Sequence, residues 1–281
     1  MKKRILKIVA FVFALVLIVG VCIFANGLVG NPISKKVATN AAEKHLEETY
    51  ADKDFVIDHV MFSFKDGYYH AFITSPSSID SNFTLVVDMW GNLRSDTYED
   101  RVLSGWNTAD RIGSEYRHFV DAILDSQAFP YNEYIGYGDF EFYPREHLET
   151  HTVPDYALLT EDLELDAFYD VNKLAENHGK LTIYIEDDMV TVERLSEVLL
   201  DIKRIFDDAG VKFYIVDFVL EYPLPEDGPR KDERFEVMNF LYSDIYEEGM
   251  VERVRVADEA AKAYYDDQDS EKFRGTAEEN Q

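Results

Sequence analysis

The sequence predicts an α+β protein, with an N-terminal transmembrane helix followed by two small α+β modules whose sheets are mainly antiparallel. The helix is predicted from residues 8–25, an uninterrupted stretch of small or apolar residues that is just long enough to cross a membrane. The modules are predicted because segments with an apolar residue at every second position alternate with segments of helical period 3.6. Short turns separate several of the β-segments, and such turns join antiparallel strands.

Composition restricts the class of protein and its partners. The chain of 281 residues has 55 acidic and 28 basic side chains, which gives a formal net charge of −27. Nucleic acid is excluded as a partner, because affinity for a phosphate backbone comes from Lys and Arg. A basic or cell-surface protein is the expected partner. Apolar residues make up 46% of the chain, so it can form a packed core, and the length beyond the apolar stretch predicts two domains.

Residues 1–31 contain basic residues and no acidic one. Because basic residues flank the cytoplasmic end of a membrane span, we expect contact with the cell membrane through residues 8–25 and a single-pass protein with its C-terminal domain extracellular. A cleaved signal peptide and a lipoprotein attached through Cys22 are the alternatives. Since Cys22 is the only cysteine, no disulfide, thiolate metal site or cysteine nucleophile is expected in the remainder of the chain.

The first predicted module covers residues 32–127. Asn31 followed by Pro32 is an N-cap before a proline at the first helical position, which predicts a helix to about residue 50. The residues predicted to face inward from this helix are Ile33, Val37, Ala41 and Leu46. The predicted strands are 55–64, 68–74, 83–89 and a short fourth around Leu93, followed by a helix from about Asn107.

The second predicted module covers residues 155–265 and follows an aromatic, glycine-rich and proline-rich connector at 128–154. Its predicted elements are strand 156–159, helix 165–177, strand 181–186, a helix ending at Gly210, strands 212–222 and 233–240, and a helix from about 244. The residues predicted to be buried in the two modules are Phe62, Leu85, Val87, Leu195, Leu199, Ile202 and Phe213. Residues 266–281 are almost all polar or charged, so a disordered tail is expected there.

Several short motifs resemble a known family. They are Asn-Pro-Ile-Ser at 31–34, Glu-Glu-Thr-Tyr at 47–50, Ser-Pro-Ser-Ser at 75–78 before strand 84–89, and Tyr-Ser-Asp-Ile-Tyr at 242–246. With these motifs the chain resembles the YfjL-like membrane-anchored proteins of Gram-positive bacteria over nearly its whole length. The resemblance implies a surface protein with two domains, and it supplies no functional residues. The order of one helix and three strands in the first module is also similar to a PepSY-type module, a small exported domain often associated with inhibition or regulation.

The most suggestive surface in the sequence is a concentration of aromatic residues in the connector. We identify as the candidate ligand surface Tyr131, Tyr134, Tyr137, Phe140 and Tyr143. Aromatic rings on a glycine-rich extended segment offer flat faces to a glycan or a peptide. The simpler interpretation is a half-buried strand whose rings fill the junction between the modules, because aromatic residues alternate in such strands.

No catalytic, cofactor-binding or metal site is predicted. His147 and His151 have the spacing of a zinc-binding helix, but Leu148 occupies the position at which such helices carry the glutamate base. The acidic clusters at 186–188 and 207–208 contain the oxygen ligands that calcium prefers, yet no calcium-loop spacing occurs. Capping and the helix dipole are a sufficient reason for acidic residues at the start of a helix.

Three functions therefore stay open. The favoured one is a membrane-anchored, extracytoplasmic binding or regulatory module without enzymatic activity, because it needs no catalytic constellation. An exported hydrolase with a carboxylate pair or a Ser, His and Asp set is the second. A structural or assembly subunit at the cell surface is the third, and a large apolar patch would support it.

Overall fold

A computed structural model describes residues 2–225, 227–231 and 233–278 of the chain. These residues form two compact units. The first contains the residues up to Thr108 and the short segment Leu163–Ala167, and the second contains Ala109–Asp162 and the residues from Phe168 onward. Each unit has its own four-stranded sheet, and within the described ranges no sheet runs through both.

The first unit contains an antiparallel meander with a helix on one face. Its elements are α1 (Lys2–Val29), α2 (Pro32–Thr49), β1 (Val56–Ser63), β2 (Tyr68–Ser75), β3 (Ser78–Val87) and β4 (Leu93–Asp96). Every strand pairs with its neighbour in sequence, in the order β1-β2-β3-β4. The predicted helix after Asn31 and the predicted strands are confirmed. Strand β3 begins earlier than predicted, because the turn after Ser75 is tight and pairing resumes at Ser78.

The prediction of a transmembrane helix is wrong. Residues 8–25 lie within α1. Among the described residues, however, no helix combines the length and the apolar character that crossing a membrane requires. The predicted α+β class with mainly antiparallel strands agrees with the structure, but the predicted membrane-spanning helix does not.

The buried stripe of α2 is displaced by one position from the predicted one. Ala38 and Ala42 are fully buried and Leu46 is nearly so, whereas Ile33 is 79% exposed. Alanine on the inner face lets the helix axis approach the sheet closely, so its partners are the large side chains of β2 and β3. The prediction followed the bulkier residues and therefore selected the neighbouring face.

The second unit contains a mixed sheet with helices against it. Its elements are α3 (Trp106–Leu124), which enters the unit at Ala109, β5 (Asn132–Phe140), β6 (Phe142–Tyr143), α4 (His147–Thr150), β7 (Leu158–Leu159), α5 (Val171–His178), β8 (Gly179–Glu186), α6 (Val192–Ala209), β9 (Ile215–Glu221), β10 (Arg234–Leu241) and α7 (Met250–Glu278). The strand order is β10-β9-β8-β5, with β8 and β9 parallel and the other pairs antiparallel.

The core of the second unit lies under α6. Leu195, Leu199 and Ile202 of this helix are fully buried, and Phe213 is 2% exposed, as predicted. Thr191 caps the helix by accepting a hydrogen bond from the Arg194 N–H. Of the residues predicted to be buried in the first unit, Leu85 and Val87 are fully buried, while Phe62 is half-buried.

Four predicted boundaries differ from the structure. The segment 128–154, predicted as a connector, contains β5, an edge strand of the second sheet. Helix α3, predicted to close the first module, contributes to the second unit from Ala109, since its buried residues contact β5. The predicted helix 165–177 begins only at Val171, because Asp170 is its cap. Of residues 266–281, predicted as a disordered tail, 266–278 continue α7 as far as Glu278, and 279–281 lie outside the described residues.

Candidate functional site

Charged residues lie on one face of the second sheet, inside strands that are otherwise apolar. Along β8, Leu181 and Ile183 are fully buried, while Lys180, directly before Leu181, is half-buried. In β9, Asp217 interrupts a run in which Val216 and Phe218 are fully buried. A charge in such a strand is costly unless a partner of opposite charge lies beside it. These strands therefore place two charged groups together on the face opposite the apolar core.

Lys180 is the centre of a polar cluster. Its ammonium lies 2.9 Å from Asp217 Oδ2, 3.1 Å from Glu141 Oε1 and 3.4 Å from Asn239 Oδ1. The Tyr156 hydroxyl donates to Glu141 Oε1 at 2.9 Å and lies 3.2 Å from Asn239 Oδ1. The cluster thus joins β8, β9 and β10 to the segment that precedes α5.

The cluster keeps Lys180 and Tyr156 protonated. Burial by itself lowers the pKa of Lys180, but the hydrogen bonds and charges of Asp217 and then Glu141 outweigh burial, so the pKa is raised above its ordinary value. Burial, followed by the hydrogen bond to Glu141, raises the pKa of the Tyr156 hydroxyl. Both groups stay protonated at neutral pH. Neither can act there as a general base or a nucleophile.

Asn239 lies at a break in strand β10. The register changes between Val237, opposite Phe218, and Phe240, opposite Val216, so β10 contains one additional residue. Asn239 has a φ of +49°, a left-handed conformation that few residues other than glycine tolerate. Its N–H donates to Asp217 Oδ1 at 2.6 Å, which holds the bulge in place. Bulges of this kind direct a side chain away from the ladder and are common beside functional sites.

A groove between β10 and α7 begins at this bulge. Its main part has a volume of about 430 Å³, and an adjoining part of about 340 Å³ shares Met238 and Asn239 with it. The α7 side is formed by small and apolar residues, namely Val256, Ala257, Ala260, Ala261 and Tyr264. The alanines leave space beside the strand, and Val256 and Tyr264 are more than half exposed. The size is that of a pocket for several side chains.

The charged groups beside the groove are Asp244, Glu252 and Arg253. Arg253 donates to the main-chain carbonyls of Asp244 at 2.9 Å and of Glu248 at 2.5 Å, and also to that of Tyr246. Its guanidinium is therefore engaged by the chain segment before α7. The Asp244 carboxylate has no partner among the described residues, so the groove presents a negative edge.

The predicted aromatic surface is placed on and around β5, and its members do not form one surface. Tyr131 donates to Asp201 Oδ2 at 2.8 Å, and Tyr134 donates to Glu221. The Tyr137 ring lies under the guanidinium of Arg117. Phe140 is 3% exposed and stacks on Tyr116, while Tyr143, in β6, lies 6.0 Å from the His147 ring. Tyr134 is 43% exposed, whereas Tyr131, Tyr137 and Tyr143 are half-buried.

The two glycines of the same segment have a packing role. A Cβ at Gly138 would lie 2.4 Å from Val120 Cγ2, and a Cβ at Gly136 would lie 2.5 Å from Leu124 Cδ1. Helix α3 therefore packs directly on the backbone of β5, and neither position has room for a side chain. The glycines that indicated a connector in the sequence are instead required for this contact between helix and strand.

The histidine pair and the acidic clusters are placed in other surroundings. The rings of His147 and His151 lie 4.5 Å apart at a helix of only four residues. In the acidic clusters, Asp187 lies 2.8 Å from Arg194, and Asp207 lies 2.9 Å from Lys212. Across the described part of the chain, no three His, Cys, Asp or Glu residues are grouped so that they could hold a metal ion.

One set of residues in the first unit has the order of a hydrolytic triad. Thr49 Oγ1 lies 3.3 Å from His45 Nδ1, and His45 Nε2 lies 2.8 Å from Asp96 Oδ2. The Tyr50 hydroxyl donates to the same Asp96 oxygen at 2.8 Å. Asp96 thus joins β4 to the C-terminal end of α2 by two contacts, a structural role that accounts for the set. The hydrolase stays a hypothesis.

The sequence did not identify the groove, but two residues of the polar cluster beside it could have been recognised from the sequence. Lys180 and Asp217 are charged residues inside apolar β-runs, and such residues need partners. Asn239 and the small residues Ala257 and Ala260 had no signal, because a bulge and a groove depend on the pairing of β10 and the placement of α7.

Two family models match the chain. The model described as YfjL-like, N-terminal domain matches residues 5–97, and the model described as YfjL-like C-terminal domain matches residues 115–255. The first covers the meander of the first unit, and the second covers the sheet of the second unit with the start of α7. No curated protein and no solved structure shows a significant match.

Proposed function

The chain belongs to the YfjL-like family, and we propose that it is a binding module without catalytic activity whose second unit holds a segment of a partner protein in the groove between β10 and α7. The observation that carries the proposal is the groove itself. It is open, its main part is lined mostly by apolar atoms, and Asn239 in its wall contacts a cluster of paired charges.

The chemistry of the cluster favours recognition over catalysis. Lys180 and Tyr156 keep their protons at neutral pH, because the carboxylates of Asp217 and Glu141 raise the pKa of the former and burial raises that of the latter. A general base must exchange protons near neutral pH. The cluster instead provides fixed hydrogen-bonding groups at the end of an apolar surface, which is the usual arrangement of a binding pocket.

The occupant we propose is an extended peptide with alternating apolar and basic residues. Its apolar side chains would contact Val256, Ala257 and Ala260, where the groove is lined by carbon. Its basic side chains would face the unpaired carboxylate of Asp244, in a chain whose net charge is −27. Charge complementarity of this kind sets specificity and the rate of association.

The regulatory role, the cell-surface location and the Gram-positive origin stay predictions. The helix and three antiparallel strands at the start of the first unit support the comparison with PepSY-type modules, which share this order. Many α+β units share it too, so the order alone does not define a function. The proposal for the groove does not depend on it.

A filled groove tests the proposed function. Ala260→Trp places an indole in the groove, while Ala263→Trp places one on an exposed position of the same helix that does not line it. The probe is a fluorescein-labelled peptide of about ten residues with alternating valine and lysine, the length of one bound strand. We expect Ala260→Trp to weaken binding about tenfold or more, equivalent to about 1.4 kcal/mol, and Ala263→Trp to leave the anisotropy titration unchanged.

A charge pair provides the control for non-specific attraction. Asp244→Asn should weaken binding of the lysine peptide, whereas Glu247→Gln, an exposed acid outside the groove, should not. A matched peptide with glutamate in place of lysine should bind weakly to all variants. Equal affinity of the lysine peptide for Ala260→Trp, Ala263→Trp and the unaltered chain at about 0.15 M salt would contradict the proposed function.

A further inference from the structure

Asn239 has a backbone conformation that few residues other than glycine adopt. A φ of +49° is adopted most readily by glycine and, among residues with a side chain, by asparagine and aspartate. Glycine would fit the same backbone, so the contacts of the amide are what distinguish asparagine at this position. One of these contacts is structural, since Asn239 Oδ1 lies 3.4 Å from the Lys180 ammonium.

The ammonium of Lys180 also decides how the amide is oriented. It has only protons to offer, so the Asn239 atom that faces it must be the oxygen. The Tyr156 proton goes to Glu141, its nearer acceptor at 2.9 Å. The Asn239 Nδ2 group then points away from the cluster, and among the described residues it donates to no acceptor.

Asn239 is exposed and lines both parts of the groove. It thus offers two N–H donors opposite the apolar α7 residues of the groove. The neighbouring Asp244 and Glu252 carry negative charge, which disfavours a carboxylate as the acceptor and leaves a neutral carbonyl oxygen. Every residue of an extended peptide has such an oxygen.

We propose that Asn239 is the residue that anchors the main chain of the bound peptide, by donating from Nδ2 to a backbone carbonyl of the occupant. This inference rests on the proposed function and makes it more specific. The bulge of β10 places the amide, Lys180 orients it, and the carbon surface of α7 selects side chains. Binding by a main-chain carbonyl fixes the position of a peptide without depending on its sequence.

Two substitutions separate the donor from the structural role. Asn239→Asp keeps an oxygen for Lys180 and a residue type that tolerates positive φ, and it removes the N–H donors. Asn239→Gly keeps the backbone conformation and removes the whole amide. Asn177→Asp, at an exposed asparagine in α5 that does not line the groove, controls for the added charge.

The measurement is the anisotropy titration of the full chain with the valine–lysine peptide, with thermal unfolding recorded for every variant. We expect Asn239→Asp and Asn239→Gly each to weaken binding about fivefold, the effect of one neutral hydrogen bond, and Asn177→Asp to have no effect. If thermal unfolding shows that Asn239→Gly is less stable, the affinity of Asn239→Asp alone tests the anchoring role.

The outcomes distinguish this inference from the proposed function. Wild-type affinity in Asn239→Asp, together with loss of binding in Ala260→Trp, would overturn the anchoring role and leave the groove as the binding site. Unchanged affinity in Asn239→Asp and also in Ala260→Trp would overturn both the anchoring role and the groove as the binding site. An increase of affinity in Asn239→Asp would also overturn the anchoring role, because it would show that charge rather than hydrogen-bond donation governs this position.

Discussion

The two sheets of this protein differ in how far apart their paired strands lie in the sequence. In the first unit every strand pairs with the next one, so the sheet is complete between Val56 and Asp96. In the second unit β5 pairs with β8, with Asn132 opposite Glu186, and β8 pairs in parallel with β9 after the intervening helix α6. The candidate site belongs to the second type of sheet, where remote segments meet.

The difference shows why one unit is simpler to derive from its sequence. A meander follows from alternation and turn residues, both of which are local. A sheet with remote pairs depends on contacts that only the folded chain forms, such as the packing of α3 on β5. We expect changes at such contacts to affect the second unit without affecting the first.

The largest expected effect comes from Gly138→Val. The new Cβ would lie 2.4 Å from Val120 Cγ2 and 2.9 Å from the Tyr116 ring, so α3 must move away from β5. Overpacking of this kind costs about 1–3 kcal/mol, and the upper end applies here because the backbone of β5 is itself in contact with the helix. The control is Gly67→Ala in the first hairpin, where φ is +79° but nothing lies within 4 Å, with an expected cost of about 1 kcal/mol.

Urea unfolding separates the two units because both tryptophans, Trp90 and Trp106, lie in the first one. Tryptophan fluorescence therefore follows the first unit, and far-UV circular dichroism follows both. Gly138→Val should lower the midpoint seen by circular dichroism and leave the fluorescence midpoint in place. Gly67→Ala should lower the fluorescence midpoint and shift the circular-dichroism midpoint by less, because the second unit contributes to that signal and is unchanged. Equal shifts of both signals in either variant would contradict independent cores.

The same contrast explains how much of the fold could be predicted. The strands of the first unit and helix α6 follow from periods of 2 and 3.6, and both are confirmed. Strand β5 was interpreted as a connector because Gly136 and Gly138 resemble linker residues, and their packing role depends on α3. The stripe of α2 was displaced because alanine gives a weak apolar signal.

The candidate site could be predicted only in part. Lys180 and Asp217 are visible as charges in apolar strands. Asn239 is an ordinary asparagine until the register of β10 against β9 gives it a positive φ. Ala257 and Ala260 become the wall of a groove only when α7 lies beside β10. The tertiary arrangement, rather than the residue type, makes these positions functional candidates.

Acid provides a second way to separate the units. In the first unit three carboxyl groups have a pKa held below the ordinary value, with these principal causes: Ser75 for Asp54, the Tyr68 N–H for Asp66, and Asn92 for Asp88. Such groups stabilise the fold at a pH above the unfolded pKa of about 3.9, and the contribution is lost as the pH falls through the folded pKa.

The second unit has opposing contributions. The pKa of Asp201 is lowered, chiefly by Arg204, and that of Asp207 is lowered because burial, which raises it, is outweighed by the hydrogen bonds from Lys212 and Tyr242. Burial raises the pKa of Glu133 and of Asp139. A raised carboxyl pKa destabilises the fold at neutral pH, and this cost is relieved as the pH falls through the folded pKa. Between about pH 5 and pH 3 the fluorescence midpoint should therefore fall more steeply than the circular-dichroism midpoint.

Asp88→Asn is the variant that sharpens the acid comparison. The Asp88 carboxylate accepts hydrogen bonds from the Trp90 N–H, from Asn92 and from Arg94. The substitution removes the ionised form of this side chain. The first unit should therefore be less stable at pH 7, and its stability should decrease less as the pH is lowered. The fluorescence midpoint measures both effects. A slope of midpoint against pH that is unchanged in Asp88→Asn would show that another group governs the acid response.

The smallest expected effect, and the one that tests the limits of the contrast, concerns helix caps. Asn31 Oδ1 accepts from the Ser34 N–H at 2.8 Å in the first unit, and Thr191 Oγ1 accepts from the Arg194 N–H at 3.1 Å in the second. A cap depends on a residue and the N–H three positions later, so it is local in either unit. Asn31→Ala and Thr191→Ala should therefore cost the same, about 1 kcal/mol each, measured by fluorescence for the first and by circular dichroism for the second.

Serine variants supply the control for this comparison, because Asn31→Ser and Thr191→Ser keep an oxygen that accepts the same hydrogen bond and should stay near wild-type stability. The Tyr69 hydroxyl lies 2.9 Å from the backbone N of Asn31 and 3.2 Å from its backbone O, so alanine retains these two contacts. Equal costs would mean that the two units differ in long-range pairing and agree in local structure. A cost at Asn31 several times that at Thr191 would instead show that the junction of α1 and α2 depends on this side chain beyond its role as a cap.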